Sequence, residues 1–196
     1  KTAQANMDFA GVLRASNIRL VATIDDGTNY DPVLVGIAFA STTRLPEPKD
    51  AFVWKDVYEK ASETLRYGAQ PARIARTYEL QLGERGQMLI DAAGEARGDD
   101  TELELFVVNP EYRSHGVGKA LMAEFQKRLE GLGAQSYWLQ TDSTCTWQWY
   151  ENHGYTRVAD VELSADYPMP PTGEPADEAP HVFMYKKDLV AEPAQE

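Results

Sequence analysis

Apolar residues along the chain recur in two rhythms, one alternating and one near every third or fourth position, and the switches between them mark out strands and helices. Met7, Phe9, Val12 and Leu13 among small and polar residues predict a short helix over 3–15 that closes before Asn17. Ile18 to Ile24 and Val33 to Ala40 read as two strands, joined through the turn cluster Asp25-Asp26-Gly27-Thr28-Asn29 into an antiparallel hairpin with a rather long connection. Pro46-Glu47-Pro48 ends that unit. Over 50–93, Phe52, Val53, Val57 and Leu65, then Ile74, Tyr78, Leu82 and Leu89, recur at helical spacing and predict two or three helices.

A charged turn, Gly94 to Asp100, leads into a strand at 102–108. The helix from about Val117 to Leu129 carries Val117, Leu121, Phe125 and Leu129 on one face. It keeps Lys127 and Arg128 in its last turn and stops at Gly131 and Gly133. Tyr137 to Gln140 reads as a short buried strand, Thr144 to Asn152 as a helix ended by Gly154, and Tyr155 to Leu163 as another strand. A proline-rich acidic loop, Ser164 to Pro180, precedes an alternating final strand, His181 to Lys187. This order suits an α+β fold, a mixed, mostly antiparallel central sheet with helices on its faces. The expectation is one domain over 1–190, with a helical insertion at 46–100 and a disordered polar tail at 191–196.

Composition narrows the partners. A chain of 196 residues with 43% hydrophobic content supports one substantial core. Its formal charge of -12 argues against nucleic-acid and anionic-membrane partners and suits a cationic or neutral acceptor. The single Cys145 rules out an intramolecular disulfide, and no apolar run reaches the roughly 20 residues that cross a bilayer. Cytoplasmic residence is the default expectation. The sequence starts at Lys1, with no signal-type segment after it, which suggests that the natural start lies upstream.

The chemistry concentrates at 103–119, where an apolar strand runs into a glycine-bearing turn and then a helix. A helix start exposes N–H groups without intrahelical partners, and its dipole favours anions, so such a turn can cradle a phosphorylated cofactor. Gly116 and Gly118 would let the ligand approach the main chain. A P-loop would need Gly in place of Arg113 and Ser or Thr in place of Ala120. A dinucleotide fingerprint would need Gly in place of Leu121. What remains is Val108-x-Pro110-x-x-Arg113-x-x-Gly116-x-Gly118. It resembles, at every position, the V-x-P-x-x-(Q/R)-x-x-G-x-(G/A) signature with which the GNAT superfamily of N-acetyltransferases binds the pyrophosphate of acetyl-CoA. Downstream, Trp149-Tyr150-Glu151-Asn152-His153-Gly154-Tyr155 is similar to the family's aromatic-Tyr-Glu-x-x-Gly-aromatic motif. The resemblance covers 101–158 well and extends, with little motif content, over 17–41 and 181–189.

The resemblance implies acetyl-CoA as cosubstrate. Its contacts would come from the main chain near Val107 and Val108 and from Arg113, Ser114, His115, Gly116, Val117, Gly118 and Lys119. It further implies Tyr150 as general acid beside the CoA sulfur and Glu104 as the carboxylate that deprotonates the amine, directly or through water. The residues themselves leave other roles open. Tyr150 could be a core aromatic, Glu102 and Glu104 the solvent-facing half of an edge strand, Arg113 a solvated turn residue and Lys119 a surface residue. Ser143 stands where many relatives carry a cofactor-touching Asn, and it also suits an N-cap of the next helix. Cys145 lacks a base partner for an acyl-cysteine route, and His115, His153 and His181 share no metal-ligand spacing, so no metal is expected.

Two departures from the family stand out. Its first strand and helix would precede the helix at 3–15, where no sequence is present. The segment 46–100 joins two strands that relatives connect more directly, and its Trp54, Tyr58, Tyr67 and Tyr78 could form core, an acceptor pocket or a homodimer contact. The reading is direct acetyl transfer to the primary amine of a small molecule, with a noncatalytic acyl-CoA-binding or regulatory module as the alternative.

Overall fold

In the computed structural model, residues 2–25, 27, 32–68, 83–163 and 179–189 are described. The hairpin turn around Asp26 and Asn29, the periodic residues Ile74, Tyr78 and Leu82, most of the acidic loop and the tail at 191–196 lie outside them. The elements run α1 (Thr2–Ala15), β1 (Ile18–Ile24), β2 (Val33–Ser41) and α2 (Ala51–Tyr67), then helical residues 83–93, here α3. They continue with β3 (Glu102–Val108), α4 (Val117–Gly131), β4 (Ser136–Asp142), α5 (Gln148–Asn152), β5 (Thr156–Glu162) and β6 (His181–Asp188). No helix among the described residues is long and apolar enough to cross a membrane.

The strands form one sheet in the order β1-β2-β3-β4-β6-β5, antiparallel except where β3 meets β4. The alternation along β4 and β6 sorts side chains onto two layers. Tyr137, Leu139, Phe183 and Tyr185 face Leu121, Phe125 and Leu129 of α4. Trp138, Val182 and Met184 face the other way, against Leu89 and Ala93 of α3. Helix α2 packs on α1 through Ala61, Leu65 and Met7, while Phe9 of α1 meets Phe39 of β2 at 6.2 Å between ring centroids. The 46–100 insertion thus supplies α3 to the sheet face opposite α4 and α2 to the packing on α1. Tyr58 joins the α1–α2 packing, but Tyr67 is 79% exposed rather than core.

Most expected bounds shift by a residue or two, and the largest change falls between β4 and α5. Strand β4 continues to Asp142, and α5 begins at Gln148 rather than Thr144. The intervening residues are held in a turn by Asp142, whose Oδ1 accepts from the Thr144 N–H at 3.0 Å and whose carbonyl accepts from the Cys145 N–H at 3.1 Å. An aspartate bonded to the main chain two residues on competes with the first turn of a helix.

The close seat of α4 depends on Gly36 of β2. A Cβ there would lie 2.9 Å from Leu121 Cδ1, 3.2 Å from the Val107 carbonyl oxygen and 3.2 Å from Val117 Cγ1. Because the Val107 contact is backbone, it cannot rotate away. Gly36→Val, though favoured by strand propensity, is expected to lower unfolding free energy by roughly 1–3 kcal/mol. Urea denaturation checks this, and an unchanged midpoint would contradict the packing described.

Candidate active site

The parallel contact between β3 and β4 is confined to one register pair, Glu102 with Trp138, fixed by the Trp138 N–H on the Thr101 carbonyl at 3.0 Å. Beyond it the two strands part. The gap opens a cleft of about 850 Å³ floored by Leu103 to Val108 and Leu139 to Thr141, with the start of α4 at one end and Tyr150 beside it. The Asn109 N–H bonds back to the Val35 carbonyl at 2.9 Å, on the β2 side. Amides two residues apart along a strand point the same way, so those of Phe106 and Val108 face the opening, where no β4 strand pairs with them. They are main-chain donors lining the cleft. The pairing also slips between Phe39 and Ala40, so Glu104 stands as an extra residue of β3 opposite β2.

The cradle end is built from backbone. Asn109 closes the single turn Pro110–Tyr112 by accepting from the Glu111 N–H at 3.1 Å. Ser114 and Gly116 then adopt positive φ, 64° and 82°, and turn the chain into α4. No side chain caps that helix start, which leaves its first N–H groups free for an anion. The two motif glycines have different duties. A Cβ on Gly116 would meet nothing within 4 Å, so the residue is required by its backbone conformation and leaves space open. A Cβ on Gly118 would meet Phe106 Cζ at 3.3 Å and Val108 Cγ2 at 3.5 Å. Gly118 therefore lets α4 approach β3 closely, and it also lines the cleft. Arg113 lines the cleft and ties back through Nε to the Val108 carbonyl at 3.3 Å, and Lys119 lies at the same rim.

Tyr150 is half-buried in a nest of rings. Tyr185 stacks on it at 5.6 Å, Tyr155 meets it edge-on at 5.3 Å and Trp149 edge-on at 5.4 Å. Its hydroxyl makes no hydrogen bond to any described residue, and Tyr150 lines the cleft. Burial, reinforced by Cys145 and Tyr137, pushes its phenol up to about 12, so the proton is retained at neutral pH.

Glu104 lines the same cleft, its Oε1 accepting from the Ser41 hydroxyl at 2.8 Å. Glu102 accepts from the Gln140 amide at 3.3 Å. The sheet order makes β3 an interior strand, so the edge-strand reading of these two carboxylates is overturned. Burial raises Glu104 above the usual carboxylate range. Burial and the neighbouring Glu104 push Glu102 up to about 8. A folded-state pKa above the unfolded one means that the folded protein binds the extra proton. Its stabilising effect is complete below the unfolded value and is lost as pH rises through the folded one. Glu102→Gln, which keeps the shape of the protonated acid, should raise unfolding free energy at pH 8.5 by on the order of 1–3 kcal/mol over wild type. At pH 5 the two should unfold together. Denaturation at both values checks this, and an equal difference at both would contradict it.

Among the expected site residues, Glu104, Val107, Val108, Arg113, Ser114, Gly116, Gly118, Lys119 and Tyr150 come together around the cleft. Three do not line it. His115 turns its Nδ1 to the Arg113 carbonyl at 2.8 Å, and Val117 packs inward toward Gly36. Ser143 neither reaches the cleft nor caps α5. Its hydroxyl accepts from the His181 N–H at 3.2 Å and its own N–H donates to the His181 carbonyl at 2.9 Å. The cleft also gains Phe106, Thr141, Cys145, Trp149 and His153. Trp149 bridges the two sides, 5.5 Å from Phe106 and stacked at 4.0 Å on His153. The i, i+4 spacing of Trp149 and His153 was visible in the sequence as a same-face pair.

Residues 80–157 match the family model described as an acetyltransferase (GNAT) domain. The chain has no significant match among curated protein sequences. Among solved structures it is similar to an agmatine N-acetyltransferase in a mutant apo form, at 16% identity and a TM-score of 0.50, covering 82% of this chain and 72% of that one. A mosquito arylalkylamine N-acetyltransferase-like protein shares 19% identity over 86% of this chain and 74% of its own, with a TM-score of 0.47. A nourseothricin acetyltransferase shares 18% over 88% and 65%, with a TM-score of 0.46. At these identities the likeness is one of fold.

Proposed function

We propose that this chain is an acetyltransferase of the GNAT superfamily that moves an acetyl group from acetyl-CoA directly to a primary amine of a small molecule, with Tyr150 and Glu104 handling the protons. The observation that carries the reading is one cleft that holds a backbone anion cradle, an unbonded phenol and a half-buried carboxylate. The free N–H groups at the start of α4 suit a pyrophosphate. The inward amides of Phe106 and Val108 suit the extended arm and thioester carbonyl of the same molecule.

The residues divide the reaction as follows. Glu104 accepts a proton from the amine, whose nitrogen forms the new bond to the thioester carbon. An amine of pKa near 10.4 is a poor donor to an ordinary carboxylate, and the raised affinity of Glu104 for a proton narrows that gap. As the C–S bond breaks, its electron pair goes to sulfur, and Tyr150 faces that charge with its hydroxyl. A phenol near 12 would give its proton to a free thiolate of pKa about 8.5 only uphill, by roughly 5 kcal/mol. Tyr150 therefore acts as a hydrogen-bond donor that stabilises the charge on sulfur and keeps its proton, while the departing thiolate is protonated from solvent, to which Glu104 returns the proton it took from the amine. Cys145, beside Tyr150 in the cleft, has no described hydrogen-bonded base and takes no part in the transfer.

A small acceptor fits a cleft walled by α5 and β3, and the net charge of -12 suits a cationic one. The test is CoA thiol release from acetyl-CoA across a panel of primary amines that includes agmatine and arylalkylamines. Amine-dependent release is expected with at least one member. Binding of acetyl-CoA without release by any amine would favour the noncatalytic acyl-CoA-binding module instead.

A further inference from the structure

The helix that carries Tyr150 has only five residues and no side-chain cap at its start, and a helix that short has little stability of its own. Something outside it must hold the phenol in place. Lys187 of β6 secures the C-terminal end, its Nζ donating to the carbonyls of His153 at 2.9 Å and Gly154 at 3.1 Å. The rest of the helix converges on Arg157 of β5. Its Nη2 donates to Glu151 at 2.6 Å, its Nη1 to Asp160 at 2.8 Å and its Nε to the Tyr185 hydroxyl at 3.1 Å. The Tyr185 hydroxyl donates in turn to the same Glu151 oxygen at 3.0 Å, closing a ring of hydrogen bonds. The guanidinium also lies over Trp147, 4.8 Å from its centroid, and over Phe183 at 4.2 Å.

We propose that Arg157 is the positioning residue for Tyr150, fixing the phenol through Glu151, Trp147 and Tyr185 without entering the cleft. Glu151 is the next residue after Tyr150, Trp147 immediately precedes α5, and Tyr185 is the ring stacked on Tyr150. One planar fork thus ties the start of the helix, its middle and the supporting ring to the sheet, a geometry that a lysine ammonium cannot reproduce. Arg157 keeps 28% of its side chain exposed, and Glu151 43%, so their ion pair contributes little to global stability. The contribution is to geometry, and a displacement of about 1 Å at a reacting group can cost on the order of a hundredfold.

This inference rests on the role proposed for Tyr150, and a double-mutant cycle separates the two. Arg157→Met should lower kcat about 10- to 100-fold and leave KM for acetyl-CoA within about twofold, because the cradle lies on α4. In a Tyr150→Phe background the same substitution should change kcat by less than about twofold, since the group it positions is gone. R157K should recover only part of the loss. Should R157M fail to fold, Glu151→Gln, which keeps the shape and removes the charge that Arg157 grips, carries the same cycle with the same expectations. A loss of equal size in both backgrounds, or unchanged kcat in R157M, overturns the positioning role and leaves Tyr150 untouched. Wild-type turnover in Y150F removes the Tyr150 role itself, and the positioning role with it.

Discussion

Replacing Tyr150 with Phe is expected to lower kcat by roughly a hundredfold or more, with acetyl-CoA binding unchanged within about twofold. The change removes one oxygen whose hydrogen-bonding capacity is unused among the described residues, so no internal partner is stranded. The rings of Tyr185, Tyr155 and Trp149 that hold the side chain keep their packing against Phe. A loss confined to turnover would therefore report charge developing on sulfur rather than damage to the fold. Steady-state kinetics beside calorimetric titration of acetyl-CoA make the comparison. Unchanged kcat with any accepted amine would contradict the assignment.

Glu104→Gln carries the second large effect, a fall in kcat/KM of about a hundredfold at pH 7. Gln can still accept from the Ser41 hydroxyl, so the local hydrogen bond survives while the proton acceptor is lost. The wild-type rate should rise with pH through a midpoint above the usual carboxylate range, because burial holds the proton on Glu104. The variant depends instead on the fraction of amine already neutral. Its rate should climb tenfold per pH unit toward the amine pKa near 10.4, and the gap to wild type should close. A pH profile of kcat/KM for both proteins checks this. Parallel profiles at equal height would leave the base to another group, with Glu102 next in line on the same strand.

Much of this arrangement was legible in the sequence. The strands Ile18–Ile24 and Glu102–Val108 are found with the bounds that their apolar patterns imply, since burial on a sheet face imposes that pattern directly. The turn from Val108 to Gly118 was legible because its demands are local: a closing Asn109, positive φ at Gly116 and a free helix start. What stayed hidden is non-local. The separate duty of Gly118 depends on where Phe106 points, and the need for Gly36 depends on a helix some eighty residues later. Ser143 could not be assigned because its partner, His181, arrives 38 residues on across the acidic loop. The edge-strand reading of the carboxylate pair stayed open in the sequence because β4, which neighbours β3 on the side away from β2, comes later in the chain. The insertion's helices were visible by their period, but not the docking of α3 onto Trp138 and Met184.

The gap between β3 and β4, with its backbone cradle, is the proposed binding site of acetyl-CoA. The thermal unfolding midpoint with and without excess acetyl-CoA tests it most directly. Ligand at about 100 times its dissociation constant adds roughly 2.7 kcal/mol to stability, which for a domain of this size is a rise of roughly 5–10 °C. That rise is the predicted result. A midpoint unmoved by acetyl-CoA would contradict the cradle and the proposed reaction together.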